Sequence, residues 1–181
     1  MSVGVDGSAA SGARRRPGLY GRFLALALTV LIADQASKLW AVSALSDGRH
    51  MAVLSPLLEL RLVYNAGAAF SFGETMTWVF AVTAAVAVFG ILYAGRRLGS
   101  GGWALALGMM LGGATSHLGD RLFRAPGFAQ GHVVDFIDYN GLFVGNVADI
   151  ALTAGAAVIM LLALRGVPPG GHADDRPPSG K

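Results

Sequence analysis

Two aspartates, Asp135 and Asp149, stand in apolar surroundings where a solvated carboxylate is not expected. Asp135 lies between Val134 and Phe136, and Asp149 follows Asn146 by three residues, well inside an apolar run. Two carboxyl groups that meet in a partly desolvated site cannot both ionise, so one keeps a proton while the other acts as a base. Such a pair can activate water and protonate a departing amine, which is the chemistry of peptide hydrolysis.

Each aspartate also has a purely structural interpretation. Asn146 and Asp149 could cap the N-terminus of a helix and compensate its dipole, and Asp135 could serve structure alone. Spacing does not choose between a peptidase and a proton-coupled transporter either, because transporters also keep aspartates within the membrane. The residues alone leave these alternatives open.

Two further groups of polar residues interrupt apolar segments. Asp34 and Lys38 are spaced i, i+4. A second group, spaced i, i+3 and i+4, consists of His117, Asp120 and Arg121. Each group therefore shares one helix face. Ionisable groups at membrane depth are costly, and they either pair or mark a functional site. We interpret the first group as a neutralising pair or part of a site, and the second as a structural Asp120–Arg121 brace.

The sequence excludes several other chemistries. The chain has no cysteine, so disulfides, thiolate metal sites and a cysteine nucleophile are ruled out. Its four histidines show no HExxH spacing, so no zinc site is expected. Serine catalysis lacks a GxSxG elbow. Dyad chemistry requires neither a metal nor another cofactor, and none is predicted.

Composition indicates an integral membrane protein. Of the 181 residues, 54% are hydrophobic and 14% are charged, whereas soluble domains carry about 25% charged residues. The net charge of +3 does not indicate a nucleic-acid partner, because the basic residues stand at the ends of apolar segments and not along one face. The length suits a single domain.

Four apolar stretches predict four transmembrane helices, since a spanning helix needs about 20 residues. They cover about residues 20–45, 77–94, 103–118 and 142–164. The third is short and would extend through the polar residues at its end. A cleavable signal peptide is the alternative for the first, but that stretch continues past a signal-peptide core and contains Asp34, Gln35 and Lys38.

Arginine placement predicts the orientation of these helices. Arginines precede the first helix, separate the second from the third and follow the fourth. With four spans they all fall on one side, which the positive-inside rule makes cytoplasmic. These residues are Arg14, Arg15, Arg16, Arg22, Arg96, Arg97 and Arg165. Both termini are then cytoplasmic, and the segments at about 46–76 and 119–141 face the exterior.

The first exterior segment has β character. Residues 51–54 and 57–64 are rich in Leu and Val and are separated by Ser55-Pro56. This pattern predicts a small β-platform at the membrane surface, within about 46–76, with an interfacial loop as the alternative.

The chain ends differ in composition from its centre. Residues 1–18 are small and polar and end in a basic run, and residues 167–181 are rich in Pro, Gly and charge. Such segments bury too little apolar surface to fold, so we interpret both as disordered tails. One four-helix domain at 19–166 lies between them.

Five short motifs occur in order along the chain. They are DQASKLW (34–40), NAGAAFSFG (65–73), GGATSHLGDR (112–121), GHVVDF (131–136) and GNVADIALTAG (145–155). In this order, and with four spans of the same topology, they resemble the motifs of bacterial lipoprotein signal peptidase (signal peptidase II), an aspartic peptidase family. The resemblance covers most of the chain, from about residue 20 to residue 164.

The resemblance implies an all-α membrane protein with four transmembrane helices, a small extracytoplasmic β-cradle and a short exterior helix. It implies an aspartic endopeptidase that removes signal peptides from prolipoproteins, cutting just before the diacylglyceryl-modified lipobox cysteine, and that globomycin-like lipopeptides block. Prolipoproteins and membrane lipids are then its partners, without nucleic acid. The enzyme would act as a monomer in the bacterial cytoplasmic (inner) membrane, with its site near the outer face.

Carried over motif by motif, the resemblance assigns the catalytic dyad to Asp135 and Asp149. Its supporting residues map to Asp34, Lys38, Asn65, His117, Asp120, Arg121 and Asn146. An Asp120–Arg121 brace would orient the site from behind.

The chain departs from the family pattern at three positions. His117, Tyr64 and Gly145 stand where the family has Asn, Arg and Phe, and the connection between the two aspartates is short for the family. These departures keep open a non-catalytic paralogue that binds lipoproteins or serves as a scaffold. A small proton-linked transporter using Asp34 and Lys38 is the other alternative.

Overall fold

A computed structural model describes residues 17–67 and 77–171, and within them the chain forms four helices and one four-stranded antiparallel sheet. The elements are α1 (Pro17–Leu45), β1 (Met51–Leu54), β2 (Leu58–Asn65), α2 (Thr77–Gly95), α3 (Gly101–Phe123), β3 (Val133–Asp138), β4 (Val144–Gly145) and α4 (Val147–Leu164). Most of both predicted tails, and the segment 68–76 of the predicted cradle and its motif, lie outside the described residues.

Three of the helices are long and apolar enough to cross a membrane, namely Gly18–Leu45 within α1, α2 and α4. The predicted third span, α3, is longer than its apolar stretch and continues through His117 and Asp120 to Phe123. It packs against each of the other three helices. Much of its surface therefore faces protein, which suits its small residues and the ionisable groups His117, Asp120 and Arg121 near its end.

Glycines allow the neighbouring helices to approach α3. A Cβ atom on Gly112 would lie 2.6 Å from the carbonyl oxygen of Ala27 in α1, and one on Gly113 would lie 2.9 Å from that of Ala148 in α4. Small residues at such crossings let two backbones meet, as is common between membrane helices. These contacts bring α1 and α4 close enough for polar side chains to bridge all three helices.

The sheet confirms the predicted β character and extends it. β1 has the predicted bounds, and β2 begins one residue later than expected. The strand order β1-β2-β3-β4 adds two strands that the sequence did not predict. Val63 lies opposite Asp135, and Asn65 opposite Val133. The GHVVDF motif is therefore a strand of the sheet.

One expectation for the segment between α3 and α4 is corrected. The fourth helix begins at Val147 and not near residue 142, because Val144 and Gly145 pair with β3 as a strand before Asn146 caps the helix. The short exterior helix that the resemblance implies is not among the described residues, where each of the four helices has 18 or more residues, and it stays a prediction because residues 68–76 of the exterior segment lie outside them.

Residues 167–171, which the sequence assigns to the C-terminal tail, contact the turn between α2 and α3. The Trp103 indole donates to the carbonyl oxygen of Val167 at 2.8 Å, and the Gly99 amide donates to that of Pro169 at 2.9 Å. The chain after α4 therefore folds back onto the helix ends at the face opposite the sheet.

A fully buried ammonium group joins α1 to α3. The Nζ atom of Lys38 lies 2.6 Å from Oδ2 of Asp34 and 2.7 Å from Oδ2 of Asp120, and none of the three side chains is more than 1% exposed. The predicted Asp34–Lys38 pair is confirmed. A single buried lysine is costly, and two carboxylates in contact with it offset that cost.

Each carboxylate of this cluster also accepts a hydrogen bond from the backbone of another element. Asp34 accepts hydrogen bonds from the Ser116 hydroxyl at 2.6 Å and from the Ala148 amide, in the first turn of α4, at 2.7 Å. Asp120 accepts a longer bond from the Val134 amide of β3 at 3.4 Å. The cluster therefore connects to the chain immediately before Asp149 and immediately before Asp135.

The predicted brace between Asp120 and Arg121 is wrong. Asp120 is bonded instead by Nε of Arg124 at 2.6 Å, because residues four apart stack on a helix surface whereas adjacent residues point about 100° apart. Arg121 points away from it, and its Nη1 donates to the carbonyl oxygens of Asn65 at 3.1 Å and Gly131 at 2.9 Å.

Replacing the central lysine should destabilise the protein strongly. In Lys38→Met, Asp34 and Asp120 face each other without the ammonium group, and breaking a buried ion pair costs about 3–5 kcal/mol. We expect a clear fall in the thermal unfolding temperature in detergent. The matched control is Arg49→Met, which removes an ion pair with Asp47 that lies in solvent, and it should leave that temperature unchanged. Equal effects of the two substitutions would contradict this account.

Candidate active site

A cavity of about 300 Å³ opens where α3, β2, β3, β4 and α4 meet. It is lined by Asn65, His117, Arg121, Val133, Asp135, Phe143, Val144 and Asp149. The two aspartates that the sequence singles out, from a strand and from a helix, thus line one open cavity.

The carboxylate of Asp135 is buried and held from both sides. Its Oδ1 accepts a hydrogen bond from Nδ2 of Asn146 at 2.6 Å, and its Oδ2 accepts one from Nδ2 of Asn65 at 2.9 Å. The Asn65 amide is itself oriented, because its Oδ1 accepts from the Gly67 amide at 2.8 Å. Gly67 has a φ of 113°, a conformation that favours glycine, so the turn after β2 fixes which end of Asn65 faces Asp135.

Burial raises the pKa of the Asp135 carboxyl group, and the negative charge of Asp149 raises it further. The amide hydrogen bonds from Asn65 and Asn146 and the charge of His117 oppose this rise. The net direction is upward. Asp135 is therefore the member of the pair whose surroundings favour keeping a proton.

Asp149 lies in the first turn of α4, not well inside the apolar run as the sequence suggested. Its Oδ2 accepts from the Asn146 amide at 2.9 Å while its own amide donates to Oδ1 of Asn146 at 3.0 Å, which forms a capping box. Its side chain is 42% exposed, whereas Asp135 is 3% exposed. Because the cap uses only Oδ2, Asp149 can cap the helix and still present its other oxygen to the cavity.

The fully buried Asn146 joins the two aspartates. Its Nδ2 donates to Asp135, and its Oδ1 accepts from the backbone of Asp149, so one amide group contacts both residues of the predicted dyad. A shift of α4 against β3 would break the bond between Asn146 and Asp135. Asn146 thus ties the Asp135 carboxylate to the helix turn that carries Asp149.

Two cationic or basic side chains complete the wall of the cavity. Nε2 of His117 lies 3.1 Å from Oδ1 of Asp149, the oxygen that the capping box leaves free. The Arg121 guanidinium lies 5.4 Å from the ring of Phe80 in α2 and holds the end of β2 through the Asn65 carbonyl. His117 thus faces one aspartate, and Arg121 fixes the strand end that supports the other.

The predicted supporting residues form two layers. Asn65, His117 and Arg121 line the cavity, and Asn146 bridges the dyad beside it. Asp34, Lys38 and Asp120 lie beneath and do not line it. A transporter built on Asp34 and Lys38 finds no support here, because both are fully buried in the ion-pair cluster with Asp120.

Sequence reasoning missed several members of both layers. Gln35 donates to Asp120 at 2.9 Å, and Ser116 and Arg124 also belong to the buried cluster. The i, i+4 spacing of Arg124 after Asp120 was an available signal. No comparable signal marked Phe143, which reaches the cavity because the chain turns back between β3 and β4 and stacks it on Tyr139.

The cavity has the requirements for acid–base hydrolysis. One carboxyl group is buried in surroundings that favour its proton, and the other is partly exposed, with the oxygen outside the cap facing His117 and the cavity. Among residues 17–67 and 77–171, no group of three or more His, Asp or Glu side chains is placed to hold a metal ion. Water activation by a carboxylate needs only the groups present.

Comparison with known proteins identifies the family. The model of the family described as signal peptidase (SPase) II matches residues 26–165. A lipoprotein signal peptidase from Rhodococcus jostii (strain RHA1) is 44% identical over 146 residues, which are 81% of this chain and 74% of that protein. Another, from Mycobacterium bovis (strain BCG / Pasteur 1173P2), is 44% identical over 143 residues, covering 79% of this chain and 71% of that protein.

Two solved bacterial membrane enzymes share the fold. One superposes with a TM-score of 0.68 at 22% identity, covering 89% of this chain and 95% of the other. The second gives a TM-score of 0.70 at 24% identity, over 80% of this chain and 94% of the other. The family match and the curated relatives agree with the family named from the five motifs. The chain belongs to the signal peptidase II family, aspartic-type membrane endopeptidases that remove signal peptides from prolipoproteins.

Proposed function

We propose that Asp135 and Asp149 are the catalytic dyad of this peptidase. The enzyme cuts a prolipoprotein just before its diacylglyceryl-modified cysteine. The observation that carries the proposal is the bridge made by Asn146, which contacts both aspartates at one cavity. A structural role alone would account for each aspartate separately, but not for two carboxyl groups that line one cavity while a buried amide ties the Asp135 carboxylate to the helix turn that carries Asp149.

The surroundings of the two carboxyl groups suggest their roles. Asp149, the more exposed, acts as the base: it takes a proton from water as the water oxygen attacks the scissile carbonyl carbon. Asp135, whose pKa burial raises, gives its proton to the carbonyl oxygen. When the tetrahedral intermediate collapses, the C–N bond breaks and the amine leaves with the proton that Asp149 took. The carbonyl re-forms and its proton returns to Asp135, so both carboxyl groups recover their starting states.

The remaining polar residues support this chemistry without taking part in proton transfer. Asn65 and Asn146 orient Asp135, and Arg121 holds the turn that orients Asn65. Beneath them, Asp34 and Asp120 tie the first turn of α4 and the centre of β3 to the buried Lys38. Such a layer keeps reacting groups within the small tolerance that catalysis requires.

The placement of the site supports an outer-face location. The cavity lies at the sheet end of the helices, whereas Arg22, Arg96, Arg97 and Arg165 stand at the ends away from it. By the positive-inside rule both termini are cytoplasmic, and α3, with 23 residues, is the fourth span. A substrate anchored by its acyl chains would reach this cavity sideways from the cytoplasmic (inner) membrane of a bacterium, and a single copy of the chain supplies the whole site.

Removing either carboxyl group should abolish cleavage. Asp135→Asn and Asp149→Asn should each lower the rate of processing of a diacylated prolipoprotein by at least about a hundredfold, because each loses a proton-transfer group. A gel-shift assay with purified protein, with and without globomycin, measures this. The matched control is Asp138→Asn, on the same strand but paired with Arg61 outside the cavity, and it should process normally. Normal processing by either dyad variant would refute the assignment, and an inactive wild-type protein would favour a non-catalytic paralogue.

The absence of cysteine makes the proposed orientation directly testable. Single cysteines at Leu142, an exposed residue of the turn between β3 and β4, and at Pro168, an exposed residue after α4, should lie on opposite sides of the membrane. In intact spheroplasts a membrane-impermeant maleimide should label Leu142→Cys and spare Pro168→Cys until the cells are lysed. Labelling of both in intact cells, or of Pro168→Cys alone, would contradict the four-span topology.

A further inference from the structure

One side chain in the cavity can change its charge in the physiological pH range and has no counterpart in the family pattern. His117 stands where the related motif carries an asparagine. Its Nε2 approaches Oδ1 of Asp149 at 3.1 Å, and its side chain is 20% exposed, so it exchanges protons with solvent through the cavity. An amide could donate a similar hydrogen bond, but it could not acquire a positive charge.

We propose that His117 is a positioning residue for the dyad, and that its protonated imidazolium holds Asp149 as a carboxylate and thereby extends peptidase activity toward acid pH. This inference rests on the dyad proposed above. His117 acts through Asp149 and transfers no proton to the substrate.

The charged groups around His117 come from several elements. Asp149 of α4 contacts it directly, and Asp135 of β3 and Arg121, on the same helix, line the cavity with it. Beneath the cavity, Lys38 and Asp34 of α1 are paired with each other and with Asp120. The described residues of β2 and β4 that line the cavity, Asn65 and Val144, carry no charge. The Asp149 carboxylate is therefore the charged group that a change of charge on the imidazole affects first.

The sign of the expected effect follows from this geometry. While the imidazole carries a positive charge, its attraction keeps Asp149 ionised and Asp135 retains the single proton that hydrolysis requires. A neutral residue at this position lets Asp149 take up a proton, which leaves no base. Once the imidazole has lost its charge, the native residue and a neutral substitute become equivalent. The hydrogen bond itself survives this change, because a neutral imidazole can still donate from Nε2.

The test compares pH profiles rather than single activities. His117→Gln places an amide near the Nε2 position, and His117→Asn restores the residue of the family motif. For each variant, kcat/KM on a diacylated prolipoprotein is measured between pH 5 and pH 8. The ratio of wild-type to variant kcat/KM should be about three- to tenfold larger at pH 5 than at pH 8. The control is His50→Gln, an exposed histidine outside the cavity, whose ratio should not change with pH.

A ratio that is constant over this range for both variants would overturn the proposal and leave His117 as a structural side chain. A ratio that grows toward alkaline pH would also overturn it, because it would make the neutral imidazole the active form. Loss of activity in Asp149→Asn with a flat His117 ratio would refute only this inference. Full activity of Asp149→Asn would refute the dyad itself.

Discussion

The buried contact of Lys38 with Asp34 and Asp120 is the constraint on which the rest of the structure depends. One ammonium group contacts two carboxylates that lie in different helices, and Arg124, bonded to Asp120, supplies the second positive charge. Each carboxylate then uses its remaining acceptor capacity on the backbone of another element, Asp34 on α4 and Asp120 on β3. Because unpaired charge at this depth is costly, the cluster tolerates little relative movement of α1, α3, α4 and the sheet.

The two cavity aspartates differ in burial and in hydrogen bonding because different elements carry them. Asp135, on a strand between buried neighbours, is buried and accepts two amide hydrogen bonds, which keep it oriented. Asp149, in the first turn of a helix, keeps one oxygen in the cap and turns the other toward His117 and solvent. Asn146 ties the Asp135 carboxylate to the helix turn that carries Asp149. Two identical side chains thus acquire different proton affinities from the elements that present them.

The sequence predicted the parts of this architecture that depend on local pattern. Apolar runs located the helices, and the i, i+4 spacing of Asp34 and Lys38 predicted their ion pair. Strand β3 was missed because its partner β2 lies about seventy residues earlier, and β4 was missed because its residues also suit a helix start. The i, i+4 spacing of Asp120 and Arg124 could also have predicted their pairing, whereas the contacts of Asp120 with Gln35 and Lys38 are tertiary, and spacing does not give them.

The motifs identified the family, whereas the roles within the site are inferred from geometry. The central claim is that the two aspartates are unequally protonated. Infrared spectroscopy of the purified protein at neutral pH measures this directly, since a protonated carboxyl group absorbs apart from a carboxylate. The account predicts a protonated-carboxyl band in the wild-type protein that disappears in Asp135→Asn and persists in Asp138→Asn. A wild-type spectrum without that band, or a band that survives the loss of Asp135, would contradict it.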